Sequence, residues 1–210
     1  MSERAGAAAS RGEKYGGQSR EERAADRRGR ITQSALELFA ARPYDDVTVA
    51  EVCTRAKVSK RYFYDHFTDR ENLLLAVHRE RNDWLLAEVA QAAPEEPADL
   101  DALFRPMMTT LVRTLFEHPE TARVIYINAP RMELRRRGLL RKNAELFGGM
   151  TRRVVARPSD KVRYERTALA LVAGVSEVII DWLERGMTDD IEELVDHLTG
   201  IATALLAGLD

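Results

Sequence analysis

The chain predicts an all-α protein of about nine helices: a three-helix head followed by a larger helical body. Three observations carry this. Apolar residues recur at three- and four-residue spacing along most of the 210 residues, the spacing that puts side chains on one helix face. No stretch alternates with the period of two that a half-buried strand requires. And between Thr48 and Thr68 three helix starts are marked in quick succession by hydroxyl caps.

Composition bounds the rest. Hydrophobic residues make up 45% and charged residues 31%, as in an ordinary soluble domain. No apolar run is long enough to span a bilayer, and the opening MSERAGAAASRGEKYGGQSR lacks the apolar core of a signal peptide. A cytoplasmic protein without membrane attachment is expected. The lone Cys53 excludes an internal disulfide framework and reads as a small core residue. Charge is uneven: residues 1–70 hold fourteen Lys and Arg against eleven Asp and Glu, a net +3, and the remainder holds eighteen against twenty-three, a net −5. A basic first third suits a polyanionic partner.

Residues 1–20 have almost nothing to bury and read as a disordered tail. From Glu22 the pattern turns helical, with Ile31, Ala35, Leu38 and Phe39 on one face and Pro43 as the stop. Thr48 and Glu51 form a capping box that opens a two-turn helix with the apolar stripe Val49, Val52, Cys53 and Ala56. Ser59 caps the next helix, Lys60 to Phe67, and a second box of Thr68 and Glu71 opens a longer one from about Asp69 to Ala93. Short helix, tight turn, short helix is the outline of a helix-turn-helix. A helix from Ala98 to Glu117 follows, with Pro106 as a kink unless the helix starts there. Then come a short helix from Glu120 to Asn128, a break at Pro130, a helix from Met132 to about Ala156, a turn at RPSD (157–160), a helix from Lys161 to Arg185, and a last one from Asp189 to about Ala207.

The stretch VSKRYFYDHFTDRENLL, 58–74, carries more rings than a short helix needs for docking. Phe63 and Phe67, four apart, share a face and fill a small core with Val52 and Val58. Lys60, Arg61, Tyr62, Tyr64 and Asp65 are left outward. Cations and phenols at a helix start suit a phosphate-lined groove, and the first turn of such a helix reaches base edges. The plainer reading makes all the rings core and the cations a solvated rim.

At these residues the sequence resembles the TetR family of transcriptional regulators. The family pattern V-S-x-G-T-L-Y-x-H-F-x-S-K-E-x-L is matched at Val58, Ser59, Tyr64, His66, Phe67, Glu71 and Leu73, and RITQSALELFAARPYDDVTVAEVCTRAKV resembles the family's first two helices. The likeness is specific over roughly 30–74. It implies a helix-turn-helix DNA-binding domain over 21–70 and an effector-binding and dimerisation domain over 71–210. It also implies phosphate contacts at Thr48, Tyr64, His66 and Arg70, and base-facing positions at Lys60, Arg61 and Tyr62, with Ser59 at the same helix start. Arg61 and Tyr62 stand where a small Gly-Thr pair is usual, which changes the bases read. A bidentate arginine on guanine discriminates by about 1–3 kcal/mol.

The body fits the same frame. Ile191, Leu194, Leu198, Ile201 and Leu205 form a wide seam on the last helix, and TALALVAGVSEVIIDWL before it is apolar nearly all round. Leu169, Val172, Val175 and Ile179 from that helix, with the seam, predict a homodimer interface. The dimer would set two reading helices on successive grooves of a pseudo-palindromic double-stranded DNA operator. The resemblance places a small-molecule effector among the middle helices, with Phe104, Met107, Met108, Tyr126, Phe147, Glu177 and Trp182 as candidate lining; plain core explains each of them as well. The run RRRGLLRK (135–142) suits an acidic effector or a solvated face. Pro106, Pro119 and Pro130 are where segments can shift.

A repressor released by its effector is the family's commoner mode, although nothing in the residues separates it from an activator. No enzyme, metal or cofactor is expected. His66, His78, His118 and His197 are scattered without ligand spacing, no Gly-rich phosphate loop or nucleophile elbow occurs, and the pair Asp189–Asp190 sits at a helix start as a cap. The rival to a DNA reader is a helical interaction module that keeps the scaffold and has lost DNA binding.

Overall fold

Helices account for the regular structure of residues 19–128, 133–151 and 160–208, the parts described by the computed structural model, and no strand occurs among them. The order is α1 (Arg20–Ala41), a 3-10 turn (Tyr44–Asp46), α2 (Val49–Ala56), α3 (Lys60–Tyr64), α4 (Arg70–Gln91), α5 (Leu100–Glu117), α6 (Pro119–Ala122), a π-helical segment (Arg123–Asn128), α7 (Glu133–Thr151), α8 (Lys161–Glu184) and α9 (Ile191–Ala207). The expected tail falls almost wholly outside the described residues, as do the break at Pro130, the stretch up to Ala156 and all of the RPSD turn except Asp160.

Several starts differ from expectation for local reasons. α1 begins at Arg20, ahead of Glu22, because Ser19 and Glu22 form a capping box of their own. The expected box at Thr68 gives way to Asp69, whose carboxylate accepts from the Asn72 amide, while the Thr68 hydroxyl donates to Asp69. α3 ends at Tyr64, so Phe67 lies in the turn beyond it, yet both Phe63 and Phe67 are buried as their spacing requires. Pro106 lies inside α5 and the helix runs through it. The helix expected from Glu120 to Asn128 splits into one α turn and a π turn.

Two cores follow. Ile31, Leu36, Phe39, Val52, Phe63, Phe67, Leu73, Leu74 and Val77 form that of the head, with Val124 of the π segment inserted. Each fully buried side chain of this size stabilises by roughly 1.5–3 kcal/mol. The larger core joins α4 to α9, with α9 packed chiefly on α5 and α7 on α8. α4 serves both: Leu73, Leu74 and Val77 belong to the head and Leu85 and Val89 to the body. A boundary at residue 70 therefore cuts the head's core. α7 meets α8 closely. A Cβ at Gly148 would lie 3.3 Å from the Tyr164 ring, and the Tyr164 hydroxyl bonds the Gly148 carbonyl and shares a short hydrogen bond with Thr151. No helix among the described residues is long and apolar enough to cross a membrane.

Packing of α9 on α5 alters the expected seam. Leu194 and Leu198, with Val172, Val175 and Ile179 of α8, are buried inside the single chain. The expectation that a lone chain would struggle to cover both helices holds only in part, because α5 supplies an apolar partner. Leu169, Ile191, Ile201 and Leu205 keep exposed surface.

Candidate nucleic-acid interface

α2 and α3 are set by their caps. Thr48 accepts the Glu51 amide at 3.2 Å, and Glu51 reaches back to the Thr48 amide and hydroxyl, each at 2.8 Å. Those Thr48 bonds, then Arg42 at 2.8 Å, hold the exposed Glu51 carboxyl down at about 2. α2 closes on Lys57 in the left-handed region, φ 54°. That conformation favours glycine, and Arg30 supports it by donating to the carbonyls of Ala56 at 3.2 Å and Lys57 at 3.5 Å. Ser59 then caps α3, accepting the Tyr62 amide at 3.4 Å. The turn between the helices is thus fixed at both ends.

This arrangement points Lys60, Arg61, Tyr62 and Tyr64 outward, with the two phenols 43% and 57% exposed, while Phe63 is fully buried. The division of rings expected from the sequence is the one observed. Cys53 is buried beneath, its thiol pushed up by burial, so it is not a thiolate.

Three expected contacts sit differently from their neighbours. Arg70 turns inward: it donates to the carbonyls of Asp45 at 3.1 Å and Val47 at 2.5 Å, and lies 4.1 Å over the Tyr44 ring. Carbonyls at the end of a 3-10 turn lack helical donors, and Arg70 supplies them. Thr48 spends its hydroxyl proton on Glu51. His66 is half-buried, with Nε2 closed off and unpartnered. Burial, then Arg27 and Arg28, holds its imidazole below the ordinary value. The two arginines come from α1 and were not legible as part of the site: Arg27 lies 4.5 Å over the Tyr62 ring and Arg28 4.8 Å over that of Phe67.

In the body, Met108, Tyr126 and Phe147 do share a cavity, with Leu85, Val89, Leu111, Leu171 and the polar Asn82, Asn143 and Ser176. It has a volume of about 30 Å³, room for water and not for a ligand. Burial pushes the Tyr126 phenol well above its ordinary range, so it stays a neutral donor. Phe104, Met107 and Trp182 are fully buried core outside this lining, and Glu177 is exposed. The asparagines were missed by sequence reading: the buried Asn82 donates to Asn143 at 3.4 Å from 61 positions away, which no local pattern signals. No cluster of metal-ligating side chains occurs among the described residues.

Comparison with known proteins agrees with this geometry. Residues 31–77 match the family described as bacterial regulatory proteins, tetR family. The HTH-type transcriptional activator FasR of Mycolicibacterium smegmatis is 40% identical over 96 residues, 44% of either chain, so the match spans less than half of that relative's length. A tetR-family transcriptional regulator from Streptomyces coelicolor superposes with a TM-score of 0.70 at 20% identity, over 88% of this chain and 82% of that one. FadR from Bacillus subtilis, solved in complex with stearoyl-CoA, gives 0.61 at 16% identity, over 87% and 99%. These two share the fold. The amino-terminal helix-turn-helix, residues 31–77, is thus that of the TetR family of bacterial regulatory proteins, and the architecture around it is the fold that solved TetR-like regulators share.

Proposed function

We propose that the protein is a ligand-responsive regulator that binds a pseudo-palindromic operator as a homodimer, acting as a repressor that its effector releases. The observation that carries this reading is the doubly capped α2–α3 pair with Lys60, Arg61, Tyr62 and Tyr64 turned to solvent above a closed core. A structural rim needs neither the cation pair nor the two phenols there, whereas a phosphate-lined major groove takes both.

Dimerisation rests on the surface left on α8 and α9 at Leu169, Ile191, Ile201 and Leu205. Two heads about 34–36 Å apart would read successive grooves. The effector reading rests on the cavity between α4, α5, the π segment, α7 and α8, whose lining is mostly apolar with two asparagines, a tyrosine and a serine. That lining favours an apolar effector with a small polar end; of the stearoyl-CoA bound by FadR of Bacillus subtilis, the acyl chain shares this apolar character and the large charged CoA group does not. At about 30 Å³ the cavity holds no more than water, so binding must part the helices, and a preference of 1–3 kcal/mol for the parted state weakens DNA binding roughly 5–150-fold.

Selection from random duplexes tests the DNA reading. Enrichment of a two-fold symmetric sequence is the expected result. Failure to enrich any sequence at low salt, with protein stripped of ligand by unfolding and refolding, would instead favour an interaction module on the same scaffold.

A further inference from the structure

Among the arginines of the head, two groups differ in what holds them. Arg30, Arg42, Arg55 and Arg70 are each tied to a carboxylate or to main-chain carbonyls: Arg30 to Asp26, Arg42 to Glu51, Arg55 to Glu37, Arg70 to the loop at 45–47. Arg27 and Arg28 have no ion pair among the described residues. They lie instead over rings of the reading segment, Arg27 at 4.5 Å from the Tyr62 centroid and Arg28 at 4.8 Å from that of Phe67. After burial, both guanidiniums help to depress the His66 imidazole, against Asp65, which raises it. The Arg27 Nε is closed off and unpartnered, so this arginine meets any ligand through its terminal NH₂ groups.

A ring face orients a guanidinium but leaves its charge uncompensated and most of its donors free. Two such groups, Arg27 over Tyr62 of α3 and Arg28 over Phe67 in the turn beyond it, form a site for an anion. The extended polyanion expected along α3 supplies one. We propose that Arg27 and Arg28 are DNA-backbone contacts delivered by α1, and that Tyr62 is the platform that holds Arg27 in place and does not itself read a base. This rests on the DNA-binding reading above and reassigns one of its residues. It also accounts for a large ring at a position where the family pattern has a small residue. A threonine there has no face on which to lay an arginine.

The test uses the full chain and anisotropy titrations across a salt series, on a duplex from the random selection and on an unrelated duplex. Arg27→Gln and Arg28→Gln are expected to weaken both duplexes by the same factor and each to lower the slope of log affinity against log salt by about 1. Tyr62→Ala should lose as much as Arg27→Gln, the double variant should be no worse than either, and Tyr62→Phe should restore the Tyr62→Ala loss. A merely structural stack would shift the melting curve and leave the salt slope alone, which would overturn the proposal. So would a Tyr62→Phe variant that changes preference among base variants of the selected duplex. Should Arg27→Gln fail to fold, the Arg28→Gln slope and the Tyr62→Phe comparison still decide. Wild-type protein that binds neither duplex at low salt removes the DNA reading itself, whereas wild-type binding with unaltered slopes removes only this assignment.

Discussion

Asn128 donates its side-chain amide to the main-chain carbonyl of Phe39 across a buried 2.5 Å contact. Phe39 is fully buried in the head, at the end of α1, and Asn128 ends the π segment. Within that one segment Val124 enters the head's core, Ile125 the body's, and Tyr126 lines the small cavity of the body. An event in the cavity and the seating of the head therefore share six residues of main chain. Asn128→Ala leaves the Phe39 carbonyl without this donor and is expected to cost roughly 1–3 kcal/mol. Urea denaturation followed by tryptophan fluorescence checks this; an unchanged midpoint would mean the contact carries no weight.

His78 lies beside the same segment. Burial brings its imidazole down to about 4, against a hydrogen bond with the Ile125 main chain that raises it. Between about pH 6.5 and about pH 4 the unfolded chain binds a proton that the folded chain refuses, so the stability gained at neutral pH is lost as pH falls through this window, by roughly 3 kcal/mol in all. His78→Gln should remove that part of the acid sensitivity, measured as the difference in urea midpoint between neutral and acidic buffer. Equal acid sensitivity in both proteins would contradict it.

Thr48 offers a choice between cap and phosphate contact. Its hydroxyl is engaged with Glu51, so Thr48→Ala should destabilise by about 1 kcal/mol and let the Glu51 carboxyl rise from about 2 toward its ordinary value. A thermal melt and a titration of Glu51 by NMR measure both. Weaker DNA binding with unchanged stability would make Thr48 a phosphate contact only.

Arg61 stands exposed on the first turn of α3. Arg61→Ala should relax preference at one base pair of each half-site by about 1–3 kcal/mol. Selection repeated with the variant reads this directly, as loss of information at one symmetric pair of positions and nowhere else.

Leu169 and Leu205 test the dimer. Glutamate at Leu205 places charge on exposed apolar surface, and at Leu169 on a side chain that also packs against the body's core. Sedimentation should then give a monomer, with an unchanged melting curve for the Leu205 variant, and operator affinity should fall steeply. A wild-type monomer at micromolar concentration would remove the basis of the prediction.

Much of the head was legible because its signals are local. The Thr48–Glu51 box, the Ser59 cap and the four-residue spacing of Phe63 and Phe67 each depend on neighbours within a turn or so, and each appears in place. The bond from Arg70 to the carbonyl of Val47 was not legible because the two lie 23 positions apart. Arg27 and Arg28 were passed over for the same reason: the rings they cover lie 35 and 39 positions downstream. In the body, helix periodicity places Leu194 and Leu198 on a face but does not say whether α5 or a second copy covers it. Phe104, Met107 and Trp182 lie in the core and outside the small cavity's lining, and sequence does not tell the two apart because apolar bulk is common to both.

The most direct test of the account is binding of the purified chain to the selected duplex, with stoichiometry and salt dependence measured together. Two chains per symmetric site and a steep linear fall of log affinity with log salt are predicted, since several cations of each head neutralise phosphates. One chain per site, or an affinity indifferent to salt, would contradict a dimeric reader that grips DNA through α1 and α3.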